Sequence, residues 1–446
     1  MPNARSPVIC LAVFLAAISC TPKDSGSADT VAATGAAATD GNAAKPCPAG
    51  TDTAITLPAG FCAVVFADSV IGSRHIAVAS NGDVFVQRVL GRRTGDSTAK
   101  GGIMAFRDAN ADGRADTTAR FGQTNGTGIG LYRGWIYADD GSRIVRFTHS
   151  AGSLTPSGNP ETVIRDIPMR GHDAHNFVID SAGTLYLNIG SRTNNCQQQD
   201  RANESPGINP CVELETRAGI WRFQAEQLGQ RPSVASRFAT GIRNGMGLAI
   251  NPADGKLYAT QHGRDQLFQN WPKLFTAQQN AANPAEELQQ LNQGDDFGWP
   301  YCFYSIDLRR RVLAPEYGGN GTEVGQCASK KAPAAVFPAH WAPMSLVFYT
   351  GNQFPPRYRG GAFIAMHGSW NRAPEPQDGY NLTFVPMVNG AFSNHEVFAR
   401  GFPGATVQPD RAVHRPTGLA QSPDGGLYLT DDKGGRIWKI VYVGTQ

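Results

Sequence analysis

A short phrase recurs six times along this chain: an apolar strand, a tight turn rich in Asp, Asn or Gly, then a second apolar strand. Its clearest copies are Gly247–Ala259 (GLAINPADGKLYA) and Gly418–Leu429 (GLAQSPDGGLYL). His75–Val86 (HIAVASNGDVFV) and Asn176–Leu187 (NFVIDSAGTLYL) follow the same pattern. Two copies are degenerate: Gly128–Tyr137 (GIGLYRGWIY), and Ser345–Tyr349 continued by Gly361–Ala365. A hairpin repeated at a long period is the mark of a radial repeat. The copies lie roughly 50 to 100 residues apart, more than one hairpin needs, so each repeat holds further strands. Such strands are visible at Gly102–Phe106, Arg143–Phe147, Gly219–Phe223, Leu382–Pro386 and Arg436–Val441. Six repeats of four antiparallel strands predict an all-β, six-bladed β-propeller. Charged residues make up only 17% of the chain while Gly numbers 51 and Pro 29, which suits a turn-rich β protein.

In an up-and-down blade, the start of the first strand and the end of the second lie at the same end of the sheet. Before the first strands stand Arg74 and His75, Asn125, His172, Arg243 and Asn244, His340 and Trp341, and His414 and Arg415. After the second strands stand Gln87 and Arg88, Ser191 and Arg192, Gln261–Asp265, His367–Arg372, and Asp431 and Asp432. These residues converge on one mouth of the central channel. Contact with water explains a polar mouth, but not the bias to His and Arg in a chain with nine His. Several Arg with an Asn suit a planar polyanion, and a His there suits a general base. The formal charge of +3 and the lack of a Lys/Arg run argue against a nucleic-acid partner.

The first residues read as a processing segment. Arg5 flanks an apolar run, Val8–Ile18, too short for a permanent span. Leu15–Cys20 (LAAISC) resembles a bacterial lipoprotein cleavage box, with Cys20 as the lipidated residue; cleavage by signal peptidase I is the alternative. The expected order is a signal peptide over 1–19, a disordered lipid-anchored linker over 20–46 and the propeller over 47–446. The membrane is then met through a lipid anchor only, on the periplasmic or cell-surface side. Six Cys remain beyond Cys10 and Cys20, in an exported chain, as three neighbouring couples: Cys47–Cys62, Cys196–Cys211 and Cys302–Cys327. A second motif, Asp108–Asp116 (DANADGRAD), places Asp108, Asn110 and Asp112 at alternate positions before Gly113, as the first part of a calcium loop does. Ala119 stands where the closing Glu belongs, so Asp116 would close the site as a structural calcium ligand. A short helix is expected over Ala281–Leu291.

Several strings together carry a family resemblance: Leu57–Phe61 (LPAGF), Phe238–Leu248 (FATGIRNGMGL), Phe297–Cys302 (FGWPYC), Tyr358–Phe363 (YRGGAF), His367–Arg372 (HGSWNR) and Asp431–Trp438 (DDKGGRIW). On these the chain resembles the soluble pyrroloquinoline quinone (PQQ)-dependent sugar dehydrogenases, the glucose/sorbosone dehydrogenase family, with the sorbosone-type subgroup nearer. The resemblance implies PQQ and calcium as cofactors, and oxidation of a sugar or sugar aldehyde by hydride transfer to the quinone. Electrons then pass to a respiratory quinone or cytochrome. It also implies His172 as the catalytic base, with His175 its replacement if the register slips. Arg243 and Asn244 would face substrate and quinone, although Gly245 stands where many members have Pro. The backbone carbonyls of Gly263 and Arg264 would hold the quinone's calcium, and Arg415 would lie over the quinone. The fifth-blade cofactor position falls to His367 or Arg372. Trp370, inside a mouth string, is the aromatic placed to stack on a sugar. Two other readings stand beside this one: a calcium-dependent lactonase, which needs an acidic cage at the axis, and a non-catalytic propeller that binds a glycan or protein.

Overall fold

The computed structural model describes residues 45–90 and 101–444. Cys20, the expected signal peptide and nearly all of the expected linker lie outside them. Six four-stranded antiparallel sheets account for the six phrases. The first blade is Ser73–Val78, Val84–Arg88, Ile103–Arg107 and Thr117–Phe121. The second is Ile129–Tyr132, Trp135–Asp139, Ile144–Thr148 and Glu161–Ile164. The third is Phe177–Ile179, Thr184–Ile189, Gly219–Gln224 and Arg237–Thr240. The fourth is Leu248–Ile250, Leu257–Gln261, Glu286–Leu291 and Ala335–Phe337, and the fifth is Pro343–Phe348, Ala362–Met366, Asn381–Val385 and Glu396–Ala399. Pro416–Gln421, Leu427–Asp431 and Ile437–Tyr442 begin the sixth blade. Its outer strand is Phe61–Ala67, from the other end of the chain, paired antiparallel to Ile437–Tyr442. That pairing closes the ring and removes the open edges a linear array would leave.

Each phrase folds as its sequence dictates. At the turn of the third copy, Asp180 accepts from the Thr184 amide and Gly183 takes φ 89°. Gly425 takes the same φ in the sixth copy. A residue with a Cβ resists that conformation, so glycine recurs there. Both faces of each sheet are covered by neighbouring blades, so inner strands are apolar throughout: Ala362–Met366 is buried at every position. Six hydrophobic clusters among the described residues accordingly fill the gaps between blades, one per gap, and three smaller ones lie among the insertions. Tyr137, Ile144 and Val163 of the second blade meet Phe177, Leu185 and Trp221 of the third, for example. Phe363 and Phe384 of the fifth meet Phe61, Leu427 and Trp438 of the sixth.

All three expected disulfides form: Cys47–Cys62, Cys196–Cys211 and Cys302–Cys327. The expected helix over Ala281–Leu291 is corrected. The helix is Ala277–Ala282, capped by Thr276, and Glu286–Leu291 is the third strand of the fourth blade. Pro284 forces the separation, because the residue before a proline leaves the helical region; Asn283 is extended, at ψ 155°. Two further short hairpins, Cys302–Ser305 with Arg310–Leu313 and Met387–Val388 with Ala391–Phe392, lie outside the blades. Among the described residues no helix is long and apolar enough to cross a membrane.

Candidate active site

His172 lies just before the innermost strand of the third blade, half-buried. Its Nδ1 faces two acceptors, the Ser191 carbonyl at 2.9 Å and Ser191 Oγ at 3.0 Å. The hydroxyl is itself spent as a donor, to the Thr193 carbonyl at 2.7 Å. Nδ1 therefore carries the proton, and the lone pair of the neutral ring is on Nε2. Burial, and then the Arg243 guanidinium, push the His172 pKa down to about 3. The ring is thus an unprotonated acceptor across the physiological range. A close approach holds it in place: a Cβ on Gly190 would lie 2.6 Å from His172 Cβ and 3.1 Å from Asn244 Oδ1. His175, the alternative base, is fully buried, with Nδ1 3.5 Å from Asp139 Oδ1.

Arg243 is buried beside His172 and engages four of its five N–H groups. Nε donates to the Asn194 carbonyl and one terminal nitrogen to the Gly263 carbonyl at 3.0 Å. The other terminal nitrogen donates to Asn194 Oδ1 at 3.1 Å and to Asp265 Oδ2 at 2.8 Å. Asp265 also takes Arg201 at 2.9 Å and the Asn371 amide at 2.7 Å. Those two guanidiniums, against an opposing burial cost, hold its carboxyl far below the usual carboxylate range. Asn244 accepts from Asn188 and donates to His262 Nδ1, while His262 Nε2 donates to the Pro343 carbonyl. Gly245 has a local reason: its amide donates to Asn188 Oδ1 at 2.9 Å, a bond proline cannot make.

The Arg264 side chain turns away from the mouth into a buried ion pair. One terminal nitrogen reaches both oxygens of Glu316 at 2.7 Å. Glu316 also accepts from Trp271 Nε1 and Asn195 Nδ2, each at 2.9 Å. The pair thereby ties the loop carrying the Gly263 and Arg264 carbonyls to two insertions. Glu286 Oε2 accepts the Gly263 amide at 2.9 Å, and burial pushes that carboxyl up to about 8.

On the far side of the mouth, His367 and Arg415 are joined. Arg415 donates from Nε to the His367 carbonyl at 3.2 Å, and from a terminal nitrogen to the Gly368 carbonyl. His367 Nε2 donates to Asp432 at 3.0 Å, and Asp432 also pairs with Arg74 at 2.7 Å. Arg372 leaves this group. Its guanidinium donates to the Ala281 and Pro376 carbonyls and borders a separate cavity. Of the two fifth-blade candidates, His367 is the one at the mouth. Trp370 stands on the same loop with its indole 55% exposed.

The Asp108–Asp116 loop spends its oxygens on itself. Asp108 accepts the Asp112 and Gly113 amides, Asp112 accepts the Arg114 amide, and Asp116 accepts the Ala109 amide. The Asn110 amide nitrogen points at Asp112 and Asp116, both at 3.3 Å. Among the described residues, no three His, Cys, Asp or Glu side chains are placed to hold a metal. These bonds are Asx turns, and they give the loop its shape.

Sequence reasoning placed Asp265 and Ser191 at the mouth without giving them a role, and missed Asn194 and Glu286. Asp265 closes the string Gln261–Asp265, so position alone could have flagged it. Ser191, also within a mouth string, fixes the tautomer of His172. Glu286 carried no signal, because it was read as helical.

Residues 55–443 match the TrAA12-like family. The chain belongs to this family. It is 29% identical over 216 residues to an uncharacterized protein of Borreliella burgdorferi, covering 46% of this chain and 48% of that one. It is 25% identical over 262 residues to the pyrroloquinoline quinone-dependent pyranose dehydrogenase of Coprinopsis cinerea, covering 50% and 34%. The chain thus spans about half or less of the length of these two relatives. The holo form of the pyranose dehydrogenase PQQ domain from Coprinopsis cinerea has a similar fold, with a TM-score of 0.69 at 20% identity, over 89% of this chain and 98% of that one.

Proposed function

We propose that this chain is a PQQ-dependent sugar dehydrogenase, working at the mouth lined by His172, Arg243, Asn244, His367 and Arg415. One observation carries the reading: the guanidiniums of Arg243 and Arg415 act on the imidazoles of His172, His262 and His367 at the mouth. Burial leads in each case, and the next cause is a guanidinium, Arg243 for His172 and His262 and Arg415 for His367. Such a field favours a polyanionic ligand and leaves His172 Nε2 free to act as a base. The donor set therefore fits PQQ, a planar anion, with Arg415 and Asn244 as contacts. The backbone carbonyls of Gly263 and Arg264 would hold calcium. Gly263 gives one lone pair to Arg243 and keeps another, and Asp265 offsets the guanidinium charge. PQQ with calcium supplies a hydride acceptor polarised by the cation.

The chain's own residues do the rest. His172 Nε2 removes the proton from a sugar hydroxyl or aldehyde hydrate as the hydride leaves carbon. Ser191 holds the imidazole in the needed tautomer. Arg243, locked by Asn194 and Asp265, presents a fixed donor to the reacting oxygen. Trp370 offers a flat apolar face to a sugar ring at the rim. Electrons go on to a respiratory quinone or cytochrome. The expected signal peptide, Cys20 anchor and linker would place the domain outside the cytoplasm, within reach of such acceptors. The lactonase reading lacks its acidic cage: Asp265, Asp431 and Asp432 at the mouth are paired with Arg or His, and Glu286 accepts the Gly263 and Ala342 amides. Reconstitution with PQQ and calcium tests the proposal. Dye reduction with at least one aldose or sugar aldehyde supports it. A blank across sugars, with no bound quinone spectrum, rejects it in favour of a binding propeller.

A further inference from the structure

Off the axis, between the fourth and fifth blades, lies a cavity of about 560 Å³. Its walls are apolar, from Ala282, Ile306, Val336 and Phe337. That volume lies within the roughly 300–1,000 Å³ of small-molecule sites. Its polar groups are few. Arg372 spends Nε on the Pro376 carbonyl and one terminal nitrogen on the Ala281 and Ala339 carbonyls. The other terminal nitrogen forms no bond among the described residues and remains for a ligand. Glu375 lines the same cavity, so the two charges cancel and the site suits a neutral molecule. His395 stands on an aromatic backing, with Phe337 at 5.4 Å and Trp341 at 5.7 Å between ring centres. A neutral, flat, apolar ring with carbonyl acceptors matches these walls and this donor.

The cavity is also wired to the mouth. Asp265, the partner of Arg243, accepts from the Asn371 side chain. The Asn371 carbonyl accepts from Asn280 Nδ2, and the Asn280 carbonyl accepts from His340 Nε2 at 2.8 Å. Asn280 belongs to the helix Ala277–Ala282 that forms one cavity wall, and Ala339, beside His340, forms another. A chain of hydrogen bonds through Asp265, Asn371 and Asn280 therefore joins the two sites.

We propose that this cavity is the docking site of the electron acceptor, and that the acceptor is a small quinone. The inference rests on the dehydrogenase reading above. Sugar oxidation at the mouth releases two electrons; the docked quinone takes both, with two protons, and leaves as the hydroquinone. The other class of acceptor, a haem protein, would have to use a different surface.

The test uses 2-methyl-1,4-naphthoquinone as probe and the variants Ala282→Trp and Ile306→Trp, which fill the cavity from different elements. Equilibrium dialysis with the cofactor-free protein measures binding directly. Wild type should bind the quinone, and both variants at least tenfold more weakly. In the PQQ- and calcium-loaded protein, quinone reduction should fall at least tenfold in the variants, while reduction of a small dye that enters the mouth stays unchanged. No quinone binding by folded wild type overturns the proposal. So does full quinone reduction by both folded variants. If the loaded wild type reduces no dye at all, the dehydrogenase reading fails instead, and dialysis still decides whether the cavity takes quinones.

Discussion

Replacing Glu316 by Gln isolates the buried support beneath the mouth. The Arg264 and Glu316 side chains are 1% and 0% exposed. Glu316 receives donors from Arg264, Trp271 and Asn195 on both oxygens. Glutamine keeps one acceptor oxygen, but turns an amide against donors and leaves the Arg264 charge unpaired. Breaking a buried pair from one side costs about 3–5 kcal/mol. An unfolding entropy of about 2.1 cal/mol/K per residue, over roughly 400 residues, gives ~0.8 kcal/mol per degree. The melting temperature should therefore drop by about 4–6 °C. Calorimetry on the disulfide-intact protein measures this. The double variant Arg264→Met/Glu316→Leu removes both charges and should recover at least half of the loss. The Glu316→Gln variant should also bind PQQ more weakly, because the loop bearing the Gly263 carbonyl loses its anchor. An unchanged melting temperature in Glu316→Gln, or a double variant less stable than the single, would refute the view that Arg264 acts through this pair.

Three other outcomes follow from the same geometry. Because His172 is pushed down to about 3, kcat/KM should show no acid limb near pH 6.5, and a stopped-flow pH series should stay flat from pH 7 to 5 as far as this base is concerned. Stability should fall on both sides of neutrality. His172, His262 and His367 have folded pKa values below the ordinary 6.5, so their contribution is lost as pH falls from about 6.5 toward 3 or 4. Glu286 has a folded pKa raised from 4.5 to about 8, so the fold loses stability as pH rises between those values; Glu286→Gln should remove that alkaline loss in thermal melts. Trp370→Ala should raise KM for sugar about fivefold with kcat nearly kept, since the exposed residue offers ground-state stacking worth about 1 kcal/mol; an unchanged KM would remove it from the substrate site.

The architecture was legible because it is written in repetition. Each phrase needs two apolar faces and one glycine turn, and both survive as local patterns. The mouth was legible for the same reason: fixed offsets from the inner strands placed His172, Arg243, Asn244, His367 and Arg415 at one end. Side-chain direction was not legible. Arg372 and Trp370 share one loop, yet the first turns under the fifth blade and the second faces solvent. Arg264 looked like a passive backbone ligand, because its partner Glu316 lies in an insertion far along the chain. In the Asp108–Asp116 loop alternate oxygens suit a calcium loop and a run of Asx turns equally well, so spacing does not choose between them. The strand Glu286–Leu291 was misread because its polar composition favours helix, whereas its neighbours in the sheet decide its structure.

The most direct test compares wild type and His172→Ala after loading with PQQ and calcium, reading the bound-quinone absorption and sugar-dependent dye reduction on the same samples. The account predicts the same bound spectrum in both and a turnover about 10²–10⁴-fold lower in the variant. Equal turnover in the two proteins would contradict His172 as the base, and the absence of a bound spectrum in wild type would contradict the site itself.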